Sequence, residues 1–262
     1  MSSTIEARIS ASRTKARTLY TELDRIRTMM KDTTLEKYGA PVARLTKDSC
    51  NLKLCSTLKG HQNKIAQFRW SSDSAALVTC SQDGYIIVWN AITGFKTAAI
   101  ALENQWVLTC GYSPDGRLVA SAGLDNVCTV YRLQSPECSM YGENGYSMFG
   151  IMTNCLSAVF KGHTAYVSEC DFLDNYHLVS SSGDMTCLLW DINKGCKVSG
   201  FNEHLGDVLC LSTVDSNPNI FLSGSSDGYV NIWDIRQAKS VYNYFTTNSD
   251  VTCLKSFKDG NS

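Results

Sequence analysis

A repeat of about 42 residues constrains the fold of this chain more than any other feature of its sequence. Four strings share an aspartate that is followed six positions later by an aromatic residue: SQDGYIIVWN, GLDNVCTVYR, SGDMTCLLWD and SSDGYVNIWD. Their aspartates, at positions 83, 125, 184 and 227, are separated by 42, 59 and 43 residues. Such self-similarity predicts an array of equivalent units, each of which buries its apolar face against its neighbours.

A second pattern follows the same period. Five strand-like segments, KIAQF, WVLTC, YVSEC, DVLCL and DVTCL, begin at positions 64, 106, 166, 207 and 250, and their second residue is always β-branched. Four completed units and a fifth strand start are typical of WD repeats, whose four-stranded units stack radially as the blades of a propeller. The predicted fold is an all-β WD40 β-propeller over residues 39–262, here about four blades and the start of a fifth.

Each unit carries polar residues that can form one chain of hydrogen bonds from a loop, through a strand and a turn, to the aromatic residue. We predict three such tetrads of His, Thr or Ser, Asp and Trp. They are His61, Thr79, Asp83 and Trp89; His163, Ser180, Asp184 and Trp190; and His204, Ser223, Asp227 and Trp233. The second unit lacks the histidine and has Tyr131 in place of tryptophan, so its network is expected to be incomplete.

A catalytic triad is the alternative interpretation of a His, Asp and Ser set. Recurrence at three equivalent places favours a structural role, because catalysis needs one preorganised site. The sequence has no GxxxxGK(S/T) phosphate loop, no strand-borne GxGxxG motif, and no zinc-like spacing among its 12 cysteines. We therefore expect no enzymatic activity, no cofactor and no metal, and we expect cysteines that are reduced and mostly buried.

Residues 1–38 differ from the rest of the chain and predict a coiled-coil helix. The seam positions recur at alternating steps of four and three residues, and they are Ile5, Ile9, Ser12, Ala16, Leu19, Leu23, Ile26 and Met30. Gly39 and Pro41 are expected to end the helix. The narrow seam favours pairing with one partner helix, whereas folding back onto the propeller and self-association are the alternatives.

The composition excludes several classes of protein. Lys and Arg number 24 and Asp and Glu number 25, and a formal net charge of -1 argues against a nucleic-acid-binding face. No apolar run approaches the roughly 18 residues that span a bilayer, and the N-terminus has no apolar signal core. We expect a soluble intracellular protein.

A propeller without a catalytic site acts through its surfaces. The loop that enters the first strand and the turn that carries the aspartate lie on the same side of every unit. The side chains there include an apolar and aromatic centre, Trp106, Leu108, Leu124, Tyr166 and Leu209, with a rim of Lys64, Asp207 and Asp250. Such a surface is typical of a protein-binding hot spot, unless Leu124 and Leu209 merely pack the loops.

The order of these motifs resembles the β subunit of heterotrimeric G proteins. The resemblance covers residues 1–133 and 158–262 through the heptads and the segments LKGHQNKIAQFRW, NQWVLTCGYSPDG, AGLDNVCTVYRL, SSGDMTCLLWDI and GDVLCLS. It implies a seven-bladed, non-enzymatic signal transducer downstream of a G-protein-coupled receptor. The helix would pair with a γ subunit, whose lipid holds the cytoplasmic complex peripherally at the inner face of the plasma membrane. The propeller would bind the GDP-bound α subunit and effector proteins.

The resemblance also implies contact residues. Positions that match family contacts with the α subunit or effectors are Lys64, Trp106, Leu108, Leu124, Asn126, Tyr166, Asp207, Leu209 and Asp250, with Ile87 and Lys96 on the side of the first blade. The γ subunit would contact Ile5, Ile9, Ala16, Leu19, Leu23, Ile26 and Met30. The alternative is another WD-repeat scaffold or adaptor with an oligomerising N-terminal helix.

The chain departs from the family pattern in three ways. Ala66 and Thr252 replace a tyrosine and an asparagine and would weaken two contacts. Residues 134–157 lengthen one connection by about fourteen residues, either as a docking site or as tolerated loop length. Because the family ring has seven blades, we expect a C-terminally truncated product that forms no stable ring in isolation.

Overall fold

The computed structural model describes residues 12–22, 25, 54–133, 151–152, 156–214, 216–246 and 248–256, the pair 151–152 by its backbone alone. The chain divides into two compact units, Met1–Cys55 and Ser56–Ser262. In the first unit, residues 12–22 and 25 are helical and exposed, Ala16 and Leu19 included. The seam residues Ile5, Ile9, Leu23, Ile26 and Met30 lie outside the described residues. Within the described segments, no helix has the length and hydropathy of a membrane span.

The described residues of the second unit form four sheets, each built on four antiparallel strands, and one of them gains a short fifth strand. Sheet 1 comprises β1 (Ile65–Trp70), β2 (Ala76–Ser81), β3 (Tyr85–Asn90) and β4 (Lys96–Ala101). Sheet 2 comprises β5 (Val107–Tyr112), β6 (Leu118–Gly123), β7 (Val127–Arg132) and β9 (Leu156–Lys161), while the two-residue β8 (Ile151–Met152) pairs in parallel with β4 of sheet 1. Sheet 3 comprises β10 (Val167–Phe172), β11 (His177–Ser182), β12 (Cys187–Asp191) and β13 (Cys196–Phe201). Sheet 4 comprises β14 (Val208–Thr213), β15 (Ile220–Ser225), β16 (Tyr229–Asp234) and β17 (Lys239–Phe245).

The predicted first strand of a fifth unit is not formed, which corrects that expectation. Val251 N donates to Ser225 O at 3.1 Å, and Ser256 N donates to Ser212 Oγ at 3.1 Å, so the segment contacts sheet 4. Residues 251–256 nevertheless have no strand structure. A β-strand needs a ladder with a neighbouring strand, and none pairs with this segment within the described part of the chain.

Apolar side chains fill the space between consecutive sheets. Ile86 and Ile100 of sheet 1 share a buried cluster with Val107 and Tyr131 of sheet 2. The next cluster joins sheets 2 and 3 through residues that include Val130, Phe160, Cys170 and Trp190, and a third joins sheets 3 and 4 through Val179, Leu189, Phe201 and Trp233. Because both faces of sheet 3 are covered, β11 and β12 are buried along almost their whole length, with only His177 partly exposed.

The first strand of every sheet begins with a β-bulge. The pairing register shifts after Ile65, Val107, Val167 and Val208, the β-branched residues that mark the strand starts in the sequence. The extra residues are Ala66, Leu108, Ser168 and Leu209. A bulge leaves its extra residue unpaired and redirects the side chain. The predicted surface residues Leu108 and Leu209 therefore occupy equivalent, half-buried bulge positions.

The cysteines are mostly small buried apolar residues, as expected. All nine described cysteines are free of disulfides, and six of them are buried. Burial raises the pKa of the Cys128 thiol to about 12, which keeps it protonated. Cys55, Cys196 and Cys253 are exposed, so the expectation of burial is wrong for these three.

Candidate protein-binding surface

Three hydrogen-bonded tetrads confirm the predicted networks. In each, the histidine Nδ1 lies 2.9–3.0 Å from an aspartate Oδ2, and the histidine Nε2 lies 2.7 Å from the Thr or Ser Oγ. The tryptophan Nε1 donates to the same hydroxyl oxygen at 2.7–2.8 Å. The members are His61, Thr79, Asp83 and Trp89; His163, Ser180, Asp184 and Trp190; and His204, Ser223, Asp227 and Trp233.

The tetrad of sheet 3 favours one protonation state of its histidine. Trp190 Nε1 can only donate, so the Ser180 hydroxyl accepts from it and has its own hydrogen available for His163 Nε2. In that arrangement His163 carries its proton on Nδ1 and donates it to Asp184. Burial lowers the pKa of His163 despite its contact with Asp184, which favours the neutral ring. Burial alone would raise the pKa of Asp184, but hydrogen bonds from Thr186, Thr164 and His163 lower it.

Each tetrad ties two loops together at the same end of its sheet. The aspartate belongs to the turn between the second and third strands, and it also accepts the backbone N–H of the residue that follows the histidine. Those donors are Gln62, Thr164 and Leu205, at 2.9–3.0 Å. The tetrads therefore fix the loops that carry the predicted contact residues. This geometry supports the structural interpretation of the His, Asp and Ser sets over the catalytic one.

Five predicted contact residues are linked across sheets 2, 3 and 4. Leu124 N donates to Trp106 O at 3.1 Å, and Trp106 and Leu124 are 58% and 51% exposed. Asn126 Nδ2 donates to Thr164 O at 3.4 Å, and the Tyr166 hydroxyl donates to Asp207 Oδ2 at 2.9 Å. We call these five residues, Trp106, Leu124, Asn126, Tyr166 and Asp207, the loop surface.

Tyr166 has the most constrained position on the loop surface. Its ring lies against Gly183, where a Cβ atom would come within 2.4 Å of the Tyr166 ring atom Cε1. Burial, together with the hydrogen bond to the Asp207 carboxylate, raises the pKa of Tyr166. The absence of a side chain at Gly183 and the acceptor at Asp207 thus hold the ring in one orientation, which is what a preorganised contact residue requires.

Lys64 and Asp250 occupy loop positions equivalent to those of Trp106, Tyr166 and Asp207. Both are exposed. The Lys64 carbonyl accepts from Gln82 N at 3.0 Å, and the residue after Asp250 donates to Ser225 O at 3.1 Å. Within the described residues no side-chain contact joins either one to the loop surface, so they remain predicted rim residues.

The side of sheet 1 fits the predictions only in part. Lys96 is half-buried, with its ammonium group 5.6 Å from the centre of the Trp89 ring, in a cation–π arrangement. Ile87 is only 3% exposed, because it lies in the middle of β3 between Thr79 of β2 and Ala99 of β4. The assignment of Ile87 to an exposed contact surface is therefore wrong for this structure.

Two exposed apolar residues at the same end of the sheets were not predicted. Leu205, directly after His204, is 84% exposed, and Met185, directly after Asp184, is nearly half exposed. Met185 has a φ of 67°, in the left-handed region, and the same turn position in the other sheets holds Gly84, Asn126 or Gly228, also with positive φ. The signal for this exposed residue in the sequence was Met185 itself, an apolar residue at a turn position where the other three repeats have glycine or asparagine.

No His, Cys, Asp and Glu side chains group into a candidate metal site in the segments that the structure describes. With three of the four histidines held in tetrads, the fourth, His177, contacts Asp174 at 2.9 Å in a partly exposed pair. The loop surface offers apolar area, hydrogen-bonding groups and the Asp207 carboxylate for noncovalent recognition.

Comparisons with known proteins give one consistent result. The family model for the G protein beta WD-40 repeat protein matches residues 7–262. A guanine nucleotide-binding protein subunit beta from Saccharomyces cerevisiae is 41% identical over 263 residues, which cover 98% of this chain and 59% of the relative. Relatives with the same description from Arabidopsis thaliana and Oryza sativa subsp. japonica are 39% and 37% identical, over 91% and 96% of this chain and 63% and 66% of their own lengths.

The chain therefore spans about three fifths to two thirds of the length of these relatives. The match extends over both the N-terminal segment and all four sheets. On this match and on the WD-repeat architecture that carries it, the chain belongs to the family of G protein beta WD-40 repeat proteins.

Proposed function

We propose that this chain acts as the β subunit of a heterotrimeric G protein, a non-enzymatic transducer between a G-protein-coupled receptor and effector proteins. The single observation that carries the proposal is the loop surface, where Trp106 and Leu124 are exposed and Tyr166 is held by Asp207. The GDP-bound α subunit would bind this surface, and effectors would bind it once the α subunit has left. Exposed aromatic anchors on a rigid support are what such a transient interface needs.

The remaining predicted contacts complete this proposal. Leu108 and Leu209 would contribute from their bulge positions, Lys64 and Asp250 would form a charged rim, and Lys96 would contact the α subunit from the side of sheet 1. The N-terminal helix would pair with a γ subunit, whose lipid would place the complex at the inner face of the plasma membrane. In a complete propeller the four sheets would be four of seven blades.

Replacing Trp106 tests the α-subunit interface. Trp106→Ala should weaken binding of the GDP-bound α subunit by about 2 kcal/mol or more, roughly thirtyfold in Kd, because an exposed tryptophan at the centre of an interface contributes disproportionately to affinity. The measurement is surface plasmon resonance with this chain co-purified with its γ subunit. Ile92→Ala is the matched control, since Ile92 is 84% exposed in the β3–β4 turn, at the opposite end of the sheet. Equal affinities for wild type and Trp106→Ala would contradict the proposal.

Partner choice separates this proposal from a different WD-repeat scaffold. Co-expression with a γ subunit should give a 1:1 heterodimer, measured by light scattering, and substitution of Ala16 and Leu19 by aspartate should abolish it because the seam would then carry charge. Recovery of a homo-oligomer that excludes γ would favour the alternative scaffold.

A further inference from the structure

Two buried cysteines lie together between sheets 1 and 2. Cys80 of β2 and Cys110 of β5 belong to the same buried cluster, and neither side chain is exposed. Both thiols donate to one backbone oxygen, with Cys80 Sγ 3.6 Å and Cys110 Sγ 3.7 Å from Gln67 O. The two thiols also interact with each other through a hydrogen bond. Thiols that converge in this way are placed to form a disulfide between the two sheets.

The repeat places a pair of thiols only at this contact between sheets. Cys80 lies three residues before the turn aspartate, and Cys110 lies three residues after the β-branched strand start. The same two positions hold Ala122 and Cys170 between sheets 2 and 3, and Ser181 and Leu211 between sheets 3 and 4. The packing of one sheet on the next therefore does not require sulfur on both sides, so the thiol pair is particular to sheets 1 and 2.

The pKa of Cys80 shifts in the opposite direction from that of the other buried thiols. Burial raises the pKa of Cys128 and that of Cys210 to about 12. At Cys80, the hydrogen bond with Cys110 and the charge of Arg69 outweigh burial and lower the pKa. The same hydrogen bond, together with burial, raises the pKa of Cys110. Because the thiolate is the form that reacts with a peroxide, Cys80 is suited to be the nucleophile and Cys110 the resolving thiol.

The first strand, β1, provides access to the pair. It is at the edge of sheet 1, and its residue Gln67 carries the oxygen that contacts both sulfur atoms. All six residues of β1 are at least partly exposed, whereas the equivalent strands β5, β10 and β14 are mostly buried. A strand with few buried contacts opens locally at a lower free-energy cost than a core strand. Local opening of β1 thus admits a molecule as small as hydrogen peroxide to Cys80.

We propose that Cys80 and Cys110 are an oxidation site, at which a hydroperoxide forms a reversible disulfide between sheets 1 and 2. The Cys80 thiolate attacks one oxygen of hydrogen peroxide and breaks the O–O bond, which leaves a sulfenic acid on Cys80. The departing hydroxide takes up the proton that the thiol released and becomes water. The Cys110 sulfur then attacks the Cys80 sulfur, forms the S–S bond and displaces a second water.

The electrons and the reverse reaction follow from these two steps. The two thiols lose two electrons, and hydrogen peroxide gains them as it is reduced to two water molecules. A dithiol reductant restores both thiols by thiol–disulfide exchange. The cysteine pair lies outside the loop surface, so this inference does not depend on the proposed transducer function.

Peptide mapping of the oxidised full chain tests the proposal. Trypsin cleaves after Arg69, Lys96 and Arg117, so Cys80 and Cys110 fall on separate peptides, 70–96 and 97–117, each with a single cysteine. The native protein is treated with hydrogen peroxide, and its remaining thiols are alkylated. Mass spectrometry should then find the two peptides joined, and dithiothreitol should separate them. Absence of the joined peptides, or their formation only in urea, would overturn the proposal.

Two variants assign the roles of the two thiols. In Cys110→Ser the sulfenic acid on Cys80 has no resolving thiol, so dimedone should label peptide 70–96. In Cys80→Ser the remaining thiol of Cys110 should stay reduced and unlabelled. Cys128→Ser removes another fully buried thiol and should leave the yield of joined peptides unchanged. Labelling of Cys110 instead of Cys80, or loss of the joined peptides in Cys128→Ser, would contradict the assignment.

Discussion

At the scale of single residues, the tetrads show how a polar set can be structural. His163 is buried, with its Nε2 2.7 Å from Ser180 Oγ and its Nδ1 2.9 Å from Asp184 Oδ2. The same arrangement recurs around His61 and His204. The Ser180 hydroxyl is 0% exposed and also accepts from Trp190 Nε1, so a substrate has no access to it. Burial beneath the tryptophan is therefore what distinguishes this set from a catalytic triad, and its hydrogen bonds stabilise the fold.

The titration of His163 predicts a pH dependence of stability. Burial lowers its pKa in the folded state below the usual value of about 6.5, so the unfolded chain binds more protons as the pH falls. The contribution is fully present above that value, and the free energy of unfolding should decrease as the pH falls from about 6.5 towards the folded pKa. Urea denaturation at a series of pH values between about 5 and 7.5 measures this slope.

His163→Asn provides the comparison for that slope. The variant should be less stable at pH 7.5 because Ser180 and Asp184 lose a partner, but its stability should change less between about pH 6.5 and 5.5. Asp184 has a lowered pKa, so the stability it contributes is lost only at still lower pH, below its unfolded value of about 3.9. Parallel slopes for the two proteins would show that His163 is not the titrating group.

At the scale of elements, repeated turns and bulges place the contact residues. The four bulges fall at the same position of β1, β5, β10 and β14, and the four turn positions with positive φ fall directly after the tetrad aspartate or its equivalent. A repeat therefore specifies backbone geometry, while the side chain at each equivalent position is free to vary. This variation gives sheets 2, 3 and 4 an apolar and acidic loop surface.

Gly183 is the element-scale test of the loop surface. Gly183→Ala would place a methyl group 2.4 Å from the Tyr166 ring, so the ring must move and its hydrogen bond to Asp207 should be lost. The raised pKa of Tyr166 should then fall towards its usual value of about 10. A pH titration of protein carrying 13C-labelled tyrosine measures this, with Tyr166→Phe identifying the resonance. An unshifted titration in Gly183→Ala would show that the contact does not hold the ring.

At the scale of the whole second unit, one polar network joins the first strands of all four sheets. Glu169 of β10 accepts from Arg69 and Gln67 of β1 and, at 2.6 Å, from Leu211 N of β14. The Gln67 Oε1 atom accepts from Cys110 N of β5 at 2.9 Å. Burial raises the pKa of Glu169, although the Arg69 charge opposes the shift. The network therefore couples sheets that are not neighbours in the chain.

Removing one partner of this network should destabilise the whole unit. Glu169→Ala leaves the Arg69 guanidinium largely buried without its carboxylate and should lower the free energy of unfolding by about 3 kcal/mol or more. The double variant Arg69→Leu with Glu169→Leu should recover part of the loss, because neither charge of the broken pair remains, while Asp171 loses the favourable Arg69 charge. Arg117→Ala, which breaks a largely exposed pair with Asp115, should cost less than about 1 kcal/mol. Chemical denaturation measures all three, and equal effects would argue against the coupling.

The repeat by itself determined the four sheets, the three tetrads and the incomplete second network, because each depends on residue types at fixed spacing in a recurring backbone. Three things were decided only by the tertiary structure. Ile87 is buried between strands that pack around it, the segment after Asp250 forms no strand because no ladder partner pairs with it among the described residues, and Arg69 meets Glu169 across 100 residues of sequence. The spacing of residues within one repeat specifies one sheet. Burial and long-range pairing depend on which other sheets lie beside it.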